Sequence, residues 1–348
     1  MRREHAADVL LVSLGSTVGL RRADDELNDS LQRAGARVAV VRPDPQEGLP
    51  TMMLTDLQWA RAARAAAAKV AERQALAPAR SIVYSTTTAA LLWDHPGAIR
   101  FDAPAAGNRP GRHGLWQRPL ERRRLRQAPL LLPWSEGAAQ ELPDGTGADR
   151  TLVLPVPVEP SGPVQDERDL AAVTYAANPS KKGLDRVLAA WRQLRTERGA
   201  DGGEEGEELH VAGVSAERLL AAGLISREEP GVRVLGSLAP AEFRALLRRA
   251  RVFVCAPRRE DYGIVQLEAL ADGCQLVTTE APGPYAALPI ARELDPRLVG
   301  DDLVAGLRAA LADPLPGYAE RARAALAPFS RAAVDRIVAE QLLPRLLA

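Results

Sequence analysis

The sequence predicts an α/β protein built from two doubly wound, Rossmann-like domains that face each other across a cleft. Three observations carry that expectation. The chain has 348 residues, more than a single hydrophobic core ordinarily serves. Short apolar runs alternate with helical patterns along its length, as βαβ units require. A proline-rich passage, Leu154-Pro-Val-Pro-Val-Glu-Pro-Ser-Gly-Pro163, interrupts the pattern, which then restarts. Proline fixes φ and removes backbone donors, so this stretch reads as a linker.

In the first half, Asp8–Leu14, Arg37–Val41, Ser81–Tyr84, Ile99–Phe101, Leu130–Pro133 and Leu152–Leu154 read as buried strands. The turn Gly15-Ser-Thr-Val-Gly19 precedes a helix over Asp24–Ala34, closed by Gly35, in which Asp24, Asp25 and Glu26 serve as helix-start acids. Ala60–Arg80 reads as an alanine-rich helix. In the second half, Ala171–Tyr175, Leu209–Ala212, Val232–Leu235, Val252–Cys255 and Gln275–Thr278 are strands, with a helix over Gly183–Arg195. Gly199–Glu208 is an acidic, glycine-rich surface loop. These patterns divide the chain into domains 1–157 and 158–328 and a final helical segment, 329–348, with no strand partner of its own. That segment is expected to pack back on the first domain.

Composition narrows the function classes. Hydrophobic residues make up 46% and charged residues 26%, with 45 basic and 45 acidic side chains, so the whole chain carries no polyanion-binding signal. No run approaches the roughly 20 apolar residues of a membrane span. The amino terminus, Met1-Arg-Arg-Glu-His5, lacks a signal-type hydrophobic region, and the expected location is the cytoplasm. Cys255 and Cys274 read as buried, reduced thiols. No His/Cys spacing suggests a metal, and no cofactor is expected.

The string with most chemical content is Pro257-Arg-Arg-Glu260-Asp-Tyr-Gly263-Ile-Val-Gln-Leu-Glu268-Ala-Leu-Ala-Asp-Gly273. A strand ends, a turn follows, and a helix begins near Gly263. Free N–H groups at a helix start form a ready diphosphate site. Glu260 lies just ahead of the helix and Glu268 inside it, where each carboxylate accepts hydrogen bonds from hydroxyls flanking a diphosphate. The same spacing also fits a dipole-favoured acid and an ordinary surface glutamate.

The full string resembles the Glu-x7-Glu motif of retaining GT-B glycosyltransferases of family 4. Pro257, Glu260, Gly263, Glu268, Ala269, Ala271 and Gly273 match, Tyr262 replaces phenylalanine, and the family's serine is missing. The resemblance implies that Glu260 contacts donor-sugar hydroxyls, Glu268 the ribose, and the backbone of Gly263, Ile264 and Val265 the sugar and phosphates. Asn178-Pro-Ser-Lys-Lys182-Gly183 resembles the family's Lys-Gly segment, which makes Lys182 the cation for the leaving diphosphate. Gly236 and Ser237 resemble the loop that receives the nucleobase. One departure stands out: the family's arginine, five residues ahead of the lysine, is Ala177 here. Lys181, Arg258 and Arg259 are the candidate substitutes.

The first half resembles the family in outline only. Gly15 and Ser16 fall where such enzymes place a loop near the diphosphate and acceptor, or form an ordinary βα turn. Asp102 falls near a strand-end histidine of many relatives and reads as a third catalytic candidate or as a cap. Residues 109–126 hold seven arginines with Trp116 and Leu120 against Glu121 alone. That cluster reads as a solvated helix face with a loop, or as a peripheral contact with anionic lipid or an acidic acceptor. No aromatic platform or binding module accompanies it, so nucleic acid is not an expected partner. The resemblance thus implies a retaining glycosyltransferase using a UDP- or GDP-sugar and an unidentified, lipid-linked or acidic acceptor. The alternatives are a nucleotide-sugar epimerase or phosphorylase of the same fold, and a degenerate nucleotide-sugar-binding protein.

Overall fold

The computed structural model describes residues 7–44, 46, 48–73, 79–163, 165, 167–200 and 207–348. Met1–His5, residues 74–78 of the alanine-rich segment and residues 201–206 of the acidic loop lie outside them. The chain divides into two compact units: Met1–Pro157 with Phe329–Ala348, and Val158–Pro328.

The first unit holds five parallel strands, β1 (Val9–Val12), β2 (Val38–Val41), β3 (Ser81–Tyr84), β4 (Ala98–Phe101) and β5 (Leu131–Pro133), in the order β2-β1-β3-β4-β5. Alternation along β1 splits the core in two. Val9 and Leu11 face one apolar cluster while Leu10 and Val12 face another, as side chains of period two must when both faces of a sheet are covered. Leu152–Leu154 does not form the sixth strand that its apolar residues suggest. It runs beside β5 through Leu152 N–H to Leu131 and Leu154 N–H to Pro133, with only a single bridge at Thr151. Pro155 and Pro157 interrupt further ladder bonding.

The first helix runs Val18–Arg33, six residues earlier than the sequence suggests, and Thr17 caps it by accepting from Leu20 N–H at 3.2 Å. Gly19 therefore sits inside the helix despite its poor propensity, because Ala23, Leu27 and Leu31 supply a buried stripe at i, i+4, i+8. Asp24 is consequently not a helix-start acid. It is fully buried, accepts from Ser13 Oγ at 2.6 Å and faces Arg100 at 3.8 Å. Burial pushes its carboxyl up while Arg100 opposes that shift.

The carboxy-terminal segment covers one face of this sheet. Val334, Val338, Leu342 and Leu346 recur every four residues and join the cluster of Val9, Leu11 and Leu132. The segment is helical over Arg331–Ile337 and Leu343–Leu347 with a π turn at Val338–Leu342 between them. Pro344 explains the turn: it offers no N–H to Glu340, and its ring excludes the ordinary α bond there. Arg331 binds Glu26, and Ser30 and Arg33 both bind Asp335.

The second unit repeats the architecture with β6 (Leu170–Tyr175), β7 (Leu209–Ala212), β8 (Val232–Gly236), β9 (Ala250–Cys255) and β10 (Gln275–Thr278), all parallel, in the order β10-β9-β6-β7-β8. The chain leaves β6 toward β7 and β8, then returns to the other side for β9. The β6/β9 junction is therefore the switch point where open α/β sheets bind ligands. Cys255 and Cys274 are both buried and free.

Leu342 is fully buried, so Leu342→Ala should destabilise the first unit by about 2–5 kcal/mol. Urea unfolding checks this, and a loss below about 1 kcal/mol would mean the segment merely lies on the sheet.

Candidate active site

Lys182 follows β6 and Glu260 follows β9, so two neighbouring strands deliver them to the carboxyl end of the second sheet. Their meeting depends on a close backbone approach. Gly183 has φ +62, and a Cβ there would lie 1.8 Å from the Ala256 carbonyl oxygen. Only glycine fits both the conformation and the space. Arg258 N–H donates to Lys181 O at 3.0 Å and ties the two loops together. Lys182 Nζ then reaches Glu260 Oε2 at 2.6 Å. Gln266 Nε2 donates to the same oxygen at 2.9 Å. Glu260 is 5% exposed, so this carboxylate is held by an ammonium and an amide in largely dry surroundings.

Gly263 takes φ +89 as the N-cap of the eight-residue helix Ile264–Ala271, and no side chain caps the helix. Its first N–H groups have no intrahelical acceptor. A Cβ on Gly263 would stand 2.8 Å from the Tyr285 ring. Lys182 and Glu260 thus meet, and Gln266 of the helix that starts after Gly263 joins them. Gly236 ends β8, at the far edge of the same sheet, and Ser237 follows it.

The charges around the Ala177 position are committed elsewhere. Lys181 and Arg259 both pair with Asp261, at 3.0 and 2.8 Å. Burial would raise the Asp261 carboxyl, but Lys181 and Arg259 outweigh it and hold it below its ordinary range. Arg258 instead pairs with Asp185 at 2.8 Å and donates to Ser180 O.

Glu268 is 4% exposed, not a surface glutamate. Arg244, itself buried, donates to Glu268 Oε1 at 3.4 Å, to Asp272 Oδ2 at 2.5 Å and to Glu159 O at 2.8 Å. Asp272 also accepts from the Ser161 N–H and hydroxyl. Sequence reasoning missed both Gln266 and Arg244. A visible signal existed for the first, a polar residue inside the apolar run Ile264–Ala271. Arg244 is one of three arginines in its helix, and nothing in the sequence sets it apart from Arg248 and Arg249.

In the first unit, Gly15 and Ser16 follow β1 at that sheet's own switch point, with Gly15 buried and Ser16 exposed. Asp102 follows β4 and accepts from Ala103 N–H at 2.8 Å. Beyond it, Glu121 accepts from Ala105 N–H at 2.7 Å and is 3% exposed. Burial pushes its carboxyl up to about 7, against the pull of Thr87, Ala105 N–H and Arg109. Several arginines of 109–126 serve the fold: Arg109 binds Asp56, Arg118 binds Gly111 O, and Arg124 binds Leu91 O and stacks on Trp93. Arg112, Arg122, Arg123 and Arg126 are exposed.

Among the described residues, no three His, Cys, Asp or Glu side chains are grouped to hold a metal ion. No described helix is long and apolar enough to cross a membrane.

Residues 168–313 match the family model described as glycosyl transferases group 1. A search of curated proteins finds no match. The chain resembles the solved structure of WaaG, a glycosyltransferase involved in lipopolysaccharide biosynthesis, at 18% identity over 94% of this chain and 98% of that one, with a TM-score of 0.66. It resembles a trehalose-6-phosphate synthase studied for glycosyl transfer with retention, at 13% identity over 94% and 97%, TM-score 0.64. An E. coli trehalose-6-phosphate structure bound with UDP-2-fluoro glucose is 13% identical over 96% and 98%, TM-score 0.66. The fold is GT-B, and the second unit carries a group 1 glycosyltransferase domain. The protein is an enzyme of the glycosyltransferase class.

Glu121 gives a pH prediction. Its raised folded pKa favours the protonated fold, so its contribution is complete below the ordinary carboxylate range and is lost as pH rises through about 7. Wild-type stability should therefore fall between pH 5 and pH 8 by up to about 3 kcal/mol from this group. Glu121→Gln should flatten that slope. Equal slopes in urea titrations of the two proteins would contradict the assignment.

Proposed function

We propose that this chain transfers a sugar, with retention of anomeric configuration, from a nucleotide-diphosphate sugar to an acceptor hydroxyl. The observation that carries the reading is the Lys182–Glu260 pair beside the uncapped helix start at Gly263. A leaving diphosphate needs positive charge and N–H donors fixed in place before the bond breaks. Lys182 and the N–H groups of Ile264 and Val265 supply both. Glu260, relieved of its lysine, accepts from donor-sugar hydroxyls. Glu268 accepts from the ribose, and Gly236 and Ser237 border the base.

In this mechanism the bond from sugar C1 to the diphosphate oxygen breaks, and the acceptor oxygen bonds to C1 on the same face. The acceptor proton passes to an oxygen of the departing diphosphate. No metal is assigned a role, because Lys182 and the helix start meet the phosphate charge. The resemblance to an enzyme studied for transfer with retention supports the stereochemistry, and the neighbour bound with UDP-2-fluoro glucose supports UDP over GDP. The first unit is assigned the acceptor, with Asp102 taking a hydrogen bond from its hydroxyl and the Gly15-Ser16 loop beside it. The exposed Arg112, Arg122, Arg123 and Arg126 favour an anionic acceptor, either an acidic glycan or a lipid-linked sugar at an anionic surface. The group 1 match and the placement of Lys182 against the helix start favour transfer over epimerisation or binding alone.

UDP- and GDP-sugars incubated without acceptor should release nucleotide slowly. Lys182→Met should lower that rate about 100-fold or more while changing nucleotide Kd less than about tenfold. Glu260→Gln should lower it as well. Sugar isomers accumulating without acceptor would establish an epimerase instead, and nucleotide-sugar binding with no turnover a binding protein. A Lys182→Met rate within about threefold of wild type would remove the lysine from the mechanism.

A further inference from the structure

We propose that Arg244 is the positioning residue that fixes the Glu268 carboxylate for a nucleotide ribose, and so sets the preference of the site for ribonucleotides. This rests on the donor-site reading above and extends it to a side chain outside the motif.

The arrangement is specific. Glu268 projects from the middle of the helix Ile264–Ala271. Arg244 comes from a different helix, Pro240–Arg249. It is buried, and it spends its guanidinium on three acceptors: Asp272 Oδ2 at 2.5 Å, Glu159 O at 2.8 Å and Glu268 Oε1 at 3.4 Å. The first two are short and lock the planar fork. The third is long, so the Glu268 contact orients that carboxylate while leaving it capacity to accept from a ligand hydroxyl. Asp272 is itself held by the Ser161 N–H at 2.7 Å and hydroxyl at 2.8 Å. The fork therefore rests on a fixed carboxylate and cannot follow Glu268 if the latter swings away.

The chain connectivity gives this cluster a second consequence. The helix carrying Arg244 begins three residues after Ser237, at the end of β8. Glu268 lies beyond β9. Arg244 therefore links the helix that follows the β8 loop, assigned to the base, to the carboxylate assigned to the ribose. A lysine at this position delivers a single ammonium and cannot span three acceptors in a plane.

The test uses the full-length protein with UDP, GDP and their 2′-deoxy and 3′-deoxy forms, read by calorimetric Kd. Wild type should bind the preferred ribonucleotide at least about tenfold tighter than one of its deoxy forms. In Arg244→Met that ratio should fall to within about twofold, with affinity for the deoxy form little changed, because the phosphate contacts remain. A residue that only supports the fold would weaken both nucleotides together and leave the ratio intact. Removing the arginine leaves Asp272 and Glu268 buried without it, which is costly. Arg244→Lys is therefore the second variant: it keeps the charge and should still lower the ratio at least about threefold. Either folded variant discriminating as wild type does would overturn the proposal. Wild type binding none of these nucleotides would overturn the donor-site reading itself, which is a different outcome.

Discussion

The close packing of two backbone turns, Gly183 against Ala256, is the constraint on which the site is built. The carbonyl of Ala256 occupies the place where any side chain at 183 would begin. Because that approach is permitted, the loop after β6 lies on the loop after β9, and a lysine and a glutamate about 80 positions apart come into direct contact. The parallel pairing of β6 with β9 brings the two loops to the same end of the sheet. The glycine converts proximity into a 2.6 Å ion pair.

That pair makes physical sense as a waiting state. A buried carboxylate and a half-buried ammonium each lose hydration, and each compensates the other. In the proposed function, an arriving diphosphate offers Lys182 a stronger anion, while the sugar offers Glu260 hydroxyl donors in exchange. Both charges stay satisfied throughout, so binding exposes no uncompensated charge. Around them, Asp261 absorbs Lys181 and Arg259, and Asp185 absorbs Arg258. Under the proposed function, the charge that meets the phosphate is thereby that of Lys182 and the helix start. That assignment gives a physical reading of Ala177: the local basic residues are already neutralised, and the helix N–H groups carry more of the load.

Much of this was legible in the sequence, and the reasons differ by element. The strands were readable because both sheet faces are covered, which makes Val9–Val12 and Val252–Cys255 continuous apolar runs. The Glu260–Glu268 string stood out through its resemblance to a family motif, since its spacing alone also fits an ordinary helix start. The helix at Val18 was misplaced because Gly15, Ser16, Thr17 and Gly19 are each turn formers by local preference, and tertiary packing of Ala23, Leu27 and Leu31 overrides them. Asp24 followed the same error. Its burial against Arg100 depends on a strand far away in sequence, as does Arg244 against Glu268 and Asp272. Charged residues read as solvated by default, and only the fold reveals which of them it has enclosed.

The most direct test of the account is a structure of the protein with UDP bound. A β-phosphate oxygen is expected at hydrogen-bond distance, roughly 2.7–3.2 Å, from the N–H of Ile264 or Val265. Lys182 Nζ is expected to have moved from Glu260 to the phosphate. UDP seated away from Gly263, or bound there with Lys182 still on Glu260 and out of reach of the phosphate, would contradict it.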